Sequence, residues 1–234
     1  MNVLGIIPAR GGSQSIPRKN LVPLGGRPLI AYTCEAALGA RRLDRVIIST
    51  DDAEIAGVAQ ALGAEVPFLR PEALAADTVP MIDVLRHAVR SLEDRDGYCA
   101  DIVVLLQPTS PLRQARHIDE TVDLLLRTGA DSVVSVVEVP HQFTPGSLLR
   151  LDGERLAPYE AGPMILRRQD KPRLYARNGP AVLAVRRQTL LDGGTLYGRD
   201  TCGYVMAPEE SVDIDGPLDL DLATFFLFRQ GVRA

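Results

Sequence analysis

Short unbroken apolar runs alternate along the chain with longer stretches in which apolar residues recur every three or four positions. The runs cover residues 3–7, 45–50, 102–106 and 132–137, and the amphipathic stretches cover 28–40, 53–62, 79–92 and 115–127. Runs with no polar alternation suit strands buried on both faces, and 10–15-residue helical patterns between them indicate βαβ units. The expected class is therefore α/β, with a mainly parallel sheet and helices on both faces. The rhythm changes after residue 137, where Asp152 and Gly153 form a turn pair between two short segments in 148–156, the signature of a β-hairpin. Residues from about 138 to 185 read as an inserted, β-containing sub-domain within a single domain spanning 1–234. The chain then returns to a strand at 204–206 and closes with a helix over 217–229, for which Pro217 suits the first position.

Composition narrows the choice of partners. At about 150 residues per domain, 234 residues favour one large domain carrying a sub-domain over two independent units. With 24% charged and 46% hydrophobic residues, neither disorder nor a fibrous repeat fits. Lys and Arg number 26 against 30 Asp and Glu, a net charge of −4, which argues against nucleic acid as the main partner. The first apolar run is stopped by Pro8 and is too short for a signal segment or a membrane span, so no membrane partner is expected. Cys34, Cys99 and Cys202 are odd in number and form no C-x-x-C pair; they read as reduced, mostly buried thiols of a cytoplasmic protein. His87, His117 and His141 are too scattered for a histidine metal site.

Candidate chemistry gathers in a few segments. The first strand runs into a loop holding Arg10, Gly11, Gly12, Arg18 and Lys19. Glycines let backbone N–H groups approach phosphate oxygens, and the cations neutralise them. The spacing matches neither a Walker A loop nor G-x-G-x-x-G, so a P-loop NTPase and a dinucleotide-binding dehydrogenase both drop out. Residues 211–215 read Ser-Val-Asp-Ile-Asp, so an extended backbone puts Asp213 and Asp215 on one face and Val212 and Ile214 on the other. Paired carboxylates suit Mg2+, or Mn2+, beside a triphosphate, while Asp215 is equally well placed to cap the helix at 217. Asp77 has the same two readings, a site residue or the cap of the helix expected from Val79. The segment 107–113, Gln-Pro-Thr-Ser-Pro-Leu-Arg, leaves the carboxyl end of the third run, the edge where open α/β sheets bind ligands. Its Ser110 fits a turn capping the next helix. Cys34 and His141 have no base or orienting partner nearby and read as structural.

Taken in order, these motifs resemble the acylneuraminate cytidylyltransferase family along nearly the whole chain, from about Val3 to Phe225. The resemblance implies a Rossmann-like nucleotidyltransferase fold. The implied reaction joins CTP and an acidic 2-keto sugar into a CMP-sugar and pyrophosphate. It implies that Ala9, Arg10, Gly11, Gly12, Ser13, Lys19, Asn20, Arg70, Asp77 and Thr78 bind the nucleotide, with Arg10 and Lys19 acting on the triphosphate. Gln107, Arg168 and Asn178 would bind the sugar, and Asp213 and Asp215 the metal. It further implies a homodimer with shared active sites, built by the inserted segment, in which Arg168 serves the neighbouring site; a guanidinium can grip a carboxylate with two parallel hydrogen bonds. Three segments depart from the family pattern: Gln14 stands in place of a Lys, Met81 in place of a hydroxyl residue near the base, and Pro180, Ala181 and Val182 follow Asn178 and Gly179 where relatives have Ala, an aliphatic and Tyr. Two alternatives remain: GTP or a sugar-phosphate acceptor, and a non-catalytic nucleotide-binding regulator.

Overall fold

The computed structural model describes residues 1–160, 165, 167–229 and 231. Its central sheet is built on β1 (Val3–Pro8), every residue of which is buried. Parallel to β1 lie β4 (Arg45–Ser49) on one side and β5 (Ile102–Leu105) on the other. A short β2–β3 pair (Pro23–Leu24 and Arg27–Pro28) precedes α1 (Leu29–Leu38), which links β1 to β4. The connection from β4 to β5 carries α2 (Ala53–Ala61) and α3 (Met81–Asp96). The next connection, α4 (Ala115–Thr128), leads to β6 (Ser132–Glu138). The hairpin β7 (Leu149–Asp152) and β8 (Arg155–Pro158) follows, then β9 (Tyr175–Arg177), β10 (Leu183–Arg186), α5 (Arg187–Leu191), β11 (Thr201–Met206) and α6 (Pro217–Arg229).

The sheet order is β11-β6-β10-β5-β1-β4, with β9 also paired to β6. Strand residues alternate between two cores, as parallel strands covered on both faces require. Ile7, Ile48, Val104 and Val133 pack beneath α1, α2 and α4, while Leu4, Ile6, Val103 and Leu105 pack against α3 and α5. A third cluster joins Ile16, Leu24, Leu29, Leu112, Val212 and Ile214 to Ala223 and Leu227 of α6.

The α/β class and the mainly parallel sheet agree with the sequence pattern, and α6 spans the expected residues. Three features differ. β10 lies antiparallel in the middle of the sheet, between β5 and β6, so an insertion boundary at 185 falls inside a core strand. The last strand begins at Thr201 rather than 204 because its exposed and half-buried residues lack a continuous apolar run. Of the cysteines, only Cys34 is buried, and Cys99 is exposed. The hairpin β7–β8 is present, but all eight of its residues are exposed, with Leu151 at 71%.

These two strand environments predict opposite responses to truncation. Leu183→Ala, at a fully buried position, is expected to cost about 2–5 kcal/mol and lower the urea midpoint. Leu151→Ser is expected to stay within about 0.5 kcal/mol in the monomeric chain. Urea unfolding of both variants at high dilution checks the pair.

Candidate active site

A cleft of ≈ 280 Å³ opens at the carboxyl ends of β1 and β5. The chain leaves β1 for β4 on one side of the sheet and later returns to β5 on the other, so the cleft occupies a topological switch point. Of the residues singled out from sequence, Arg10, Gly12, Ser13, Lys19, Asn20, Arg70, Asp77 and Gln107 line it. Ala9 is buried below, its N–H donating to Ser49 O at 3.0 Å, and Gly11 N–H donates to Asp51 Oδ1 at 3.1 Å. A Cβ on Gly11 would stand 2.6 Å from Asp52 Oδ2, so the loop crosses the start of α2 too closely for any side chain. Asp52 is fixed there because it caps α2, accepting from Glu54 N and Ile55 N. Arg18 adopts a left-handed conformation (φ 52°) and turns its guanidinium to Asp52 and Glu54, away from the cleft. Asn20 Nδ2 donates to Arg10 O at 2.9 Å, closing the loop on itself.

Charge inside the cleft is partly matched. Asp77 pairs with Arg10 and accepts from the Gln14 amide. Asp77 does not cap α3, because that helix starts at Met81 with Pro80 in the cap position. Thr78 is exposed and lies outside the cleft wall. Arg70 is buried, its Nη2 donating to Ser49 O at 2.7 Å. Desolvation lowers its pKa, Asp51 opposes the shift and Arg10 adds to it.

The 107–113 loop forms the opposite wall. Arg113, also buried, donates from Nη1 to Gln107 O and Ala181 O, both at 2.9 Å. Burial draws its pKa down to about 9, with Cys34 nearby acting against the shift. Desolvation pushes the Cys34 thiol up to about 11, which leaves it a poor nucleophile at neutral pH. Ser110 does not cap α4; Gln114 does, in a capping box with His117.

Beside this wall runs 211–215. Val212 and Ile214 are buried in the third cluster, and Asp213 and Asp215 alternate with them. Asp215 has a side chain 86% exposed and is not the cap of α6: Asp219 accepts from Asp215 N at 2.9 Å and Gly216 N at 2.7 Å. Ile214 is held from both sides, its N–H by Thr109 O at 2.8 Å and its carbonyl by Lys19 Nζ at 2.8 Å. Lys19 Nζ also lies 3.8 Å from Asp215 Oδ1. Asp213 Oδ1 is buried with no hydrogen-bond partner. Desolvation raises the Asp213 pKa, the Thr109 hydroxyl opposes the rise and Asp215 adds to it. A buried carboxylate oxygen without a donor, beside a second carboxylate, fits a hard dication such as Mg2+ or Mn2+. Among the described residues no three His, Cys, Asp or Glu gather around one point, so phosphate oxygens and water would complete the shell.

Two sugar candidates lie elsewhere. The Asn178 amide is engaged by the protein: Oδ1 accepts from Ser135 Oγ at 2.6 Å and Nδ2 donates to Ser211 Oγ at 3.0 Å. It braces the segment that carries Asp213. Gly179 (φ 120°) follows, and a Cβ there would stand 3.4 Å from Asp213 Oδ1. Arg168 lines a second cavity, of ≈ 920 Å³, with Glu138, His141, Lys171, Arg173 and Pro208, and is absent from the cleft wall. Sequence reasoning missed Leu74, Ala75, Ala76, Val84 and Thr109 on the cleft wall, and Arg113 behind it. Thr109 and Arg113 stood inside a motif already marked, whereas the apolar four carry no chemical signal of their own.

A family model described as cytidylyltransferase matches residues 4–190. A CMP-N,N'-diacetyllegionaminic acid synthase of Legionella pneumophila is 36% identical over 94% of this chain and 93% of its own length. An N-acylneuraminate cytidylyltransferase of Escherichia coli is 34% identical over 94% of this chain, which spans 51% of that relative. Among solved structures, a CMP:2-keto-3-deoxy-manno-octonic acid synthetase complexed with CTP has a TM-score of 0.72 at 18% identity, covering 98% of this chain and 100% of the other. A 4-diphosphocytidyl-2C-methyl-D-erythritol synthase from Anaerococcus prevotii has a TM-score of 0.65 at 11% identity, covering 97% and 99%. Both structures share the fold.

The orphaned oxygen of Asp213 yields a pH-dependent stability prediction. A carboxyl group whose folded pKa is raised favours folding only while protonated, and its penalty develops as pH rises from the unfolded value through the folded one. In chelator at pH 7, Asp213→Asn is therefore expected to raise the melting midpoint by about 2–4 °C, the response of a chain this size to roughly 1 kcal/mol. The gap should close as pH falls toward about 4, near the unfolded carboxyl pKa. Calorimetric scans from pH 4 to 8 check both the sign and the window.

Proposed function

The chain belongs to the cytidylyltransferase family, and we propose that it transfers CMP from CTP to the anomeric hydroxyl of a nonulosonic acid of the legionaminic or sialic type, releasing pyrophosphate. The observation that carries this reading is the convergence, at the switch point, of a glycine loop, Lys19 and a buried Asp213 oxygen that lacks a donor. The sugar hydroxyl attacks the α-phosphorus in line and the bond to pyrophosphate breaks. Such transfer depends on positioning and on neutralising charge more than on a protein nucleophile. A Mg2+ or Mn2+ ion held by Asp213 and Asp215 would supply charge stabilisation at the phosphates. Arg10 exchanges its Asp77 partner for the incoming triphosphate, and Lys19, anchored on Ile214 O, stands between the phosphate loop and the carboxylates. Gly12 and Ser13 line the phosphate end, while Met81, Val84 and Leu74 offer an apolar surface to the base. Gln107, its backbone clamped by Arg113, faces the sugar.

The active form in this reading is a homodimer in the cytoplasm. The β7–β8 hairpin supports the dimer, because an isolated two-stranded hairpin with Leu149, Leu151 and Leu156 exposed is marginal until something covers it. A two-fold partner supplies that cover and carries Arg168 toward the neighbouring cleft. Among the described residues no helix is long and apolar enough to cross a membrane.

Lys19→Ala is expected to slow pyrophosphate release by about 100-fold or more with the fold intact. Unchanged turnover and unchanged CTP affinity would remove the triphosphate role. Release assays pairing CTP or GTP with sialic, legionaminic and 3-deoxy-octulosonic acids, and with a sugar phosphate, test the substrate assignment; activity only with GTP, or only with the sugar phosphate, would overturn it. Mixing inactive Arg168→Ala with inactive Asp213→Asn is expected to restore part of the activity, since a mixed dimer would hold one site with both lesions and one with neither. Absence of recovery after confirmed subunit exchange rejects the shared site.

A further inference from the structure

The first turn of α4 holds a carboxylate outside the cleft. Glu210 ends the 3-10 turn Pro208–Glu210, three residues before Asp213, and its side chain is only 12% exposed. Arg116 Nη2 and Gln114 Nε2 both donate to its Oε1, and His117 Nε2 lies 3.2 Å from its Oε2. His117 Nδ1 accepts the Gln114 N–H at 3.0 Å, so the proton of the neutral ring sits on Nε2, which lies near Glu210 without forming a hydrogen bond to it. The His117 ring is fully buried, and desolvation and Arg116 hold its pKa below the ordinary value against the pull of Glu210 and Glu120. Tyr204 packs beside it, with ring centroids 6.1 Å apart, and its hydroxyl is bound to Glu120.

This grip has a mechanical consequence for the cleft. The loop 107–113 and the segment 210–215 are tied at the inner end by Ile214 N–H to Thr109 O and at the outer end by Glu210 to α4. Asp213 lies between the two ties, braced also through Ser211 by Asn178. Its buried oxygen has no donor, so rotation toward solvent would relieve a desolvated charge. Releasing the outer tie would leave Asn178 and the burial of Val212 as the restraints on that side and so loosen the hold on Asp213.

Resting on the reading of Asp213 and Asp215 as the metal pair, we propose that Glu210 is a positioning residue that, gripped by Arg116 and Gln114, keeps Asp213 inward and aimed at the cation. Glu210 touches neither nucleotide nor metal and acts only through the backbone it anchors. Its removal should therefore weaken the cation while sparing the nucleotide.

The test compares Glu210→Gln, Arg116→Met and Asp213→Asn with the parent protein by EPR of Mn2+ titrated into the CTP complex, against a protein-free CTP blank. CTP affinity in chelator and the melting midpoint are measured alongside. Glu210→Gln is expected to weaken Mn2+ by about 10–100-fold, the usual effect of losing an outer partner of a metal ligand. CTP affinity in chelator should not change, and turnover should return toward the parent value at saturating Mn2+. Arg116→Met should move Mn2+ affinity in the same direction. A lowered midpoint with parental Mn2+ affinity in both variants would make the cluster merely structural and overturn the proposal. If Asp213→Asn itself retains Mn2+ affinity, the metal pair falls and this inference with it; if Asp213→Asn loses Mn2+ while Glu210→Gln does not, only the role of Glu210 is rejected.

Discussion

The burial of Val212 and Ile214 is the constraint on which the cleft depends. These two side chains join Ile16 from the phosphate loop, Leu112 from the 107–113 loop, and Ala223 and Leu227 from α6 in one apolar cluster. At about 1.5–3 kcal/mol for each large side chain taken from water, the cluster can hold three otherwise unrelated backbone segments together. Burial alternates along the segment, so Asp213 and Asp215 lie off the apolar side that Val212 and Ile214 occupy. A slip of one residue would bury carboxylates and expose Val212 and Ile214, so the apolar positions set the chemical ones.

Charge is distributed so that the carboxylates stay available. Two buried guanidiniums flank the cleft, and each donates to backbone carbonyls: Arg70 to Ser49 O, and Arg113 to Gln107 O and Ala181 O. They tighten loops without neutralising Asp213. Had Arg113 been paired with Asp213, the loop would have been as well anchored, but no dication could have displaced so close a partner without leaving a buried cation behind. Asp77 does neutralise Arg10, but that pair is half-exposed, where an ion pair is weak and exchange for a triphosphate is cheap.

The parallel strands and their helices were legible in the sequence because both faces of the strands are buried and the helices alternate with them. β10 was not, since the apolar residues from Ala181 follow Gly179 and Pro180 and no helix pattern leads into them; only pairing with β5 and β6 reveals a core strand. Asp77 and Asp215 were ambiguous because a carboxylate just before a helix suits both a cap and a site. Pro80 and Asp219 take the places that would have made caps of them. Glu210 and His117 gave no signal, as 93 residues of chain separate partners that lie 3.2 Å apart. Arg168 was marked through the family resemblance as a sugar ligand of the neighbouring site, and spacing along one chain says nothing about which copy's cleft it faces.

The family model ends at residue 190, before the carboxylate pair, although relatives match over 94% of the chain; beside the resemblance, the segment itself carries a physical argument for the metal site. Asp213 is costly where it stands: desolvation disfavours its charge and one oxygen has no donor. A fold tolerates such a group when neighbouring burial more than offsets it, as Val212 and Ile214 do, and when rotation to water is blocked at both ends, as Thr109 and Glu210 do. Those restraints would serve no purpose around an ordinary surface aspartate, which needs none. Stored electrostatic cost inside a rigid frame is the condition under which an incoming dication gains most from binding, because it relieves a penalty that the protein alone cannot.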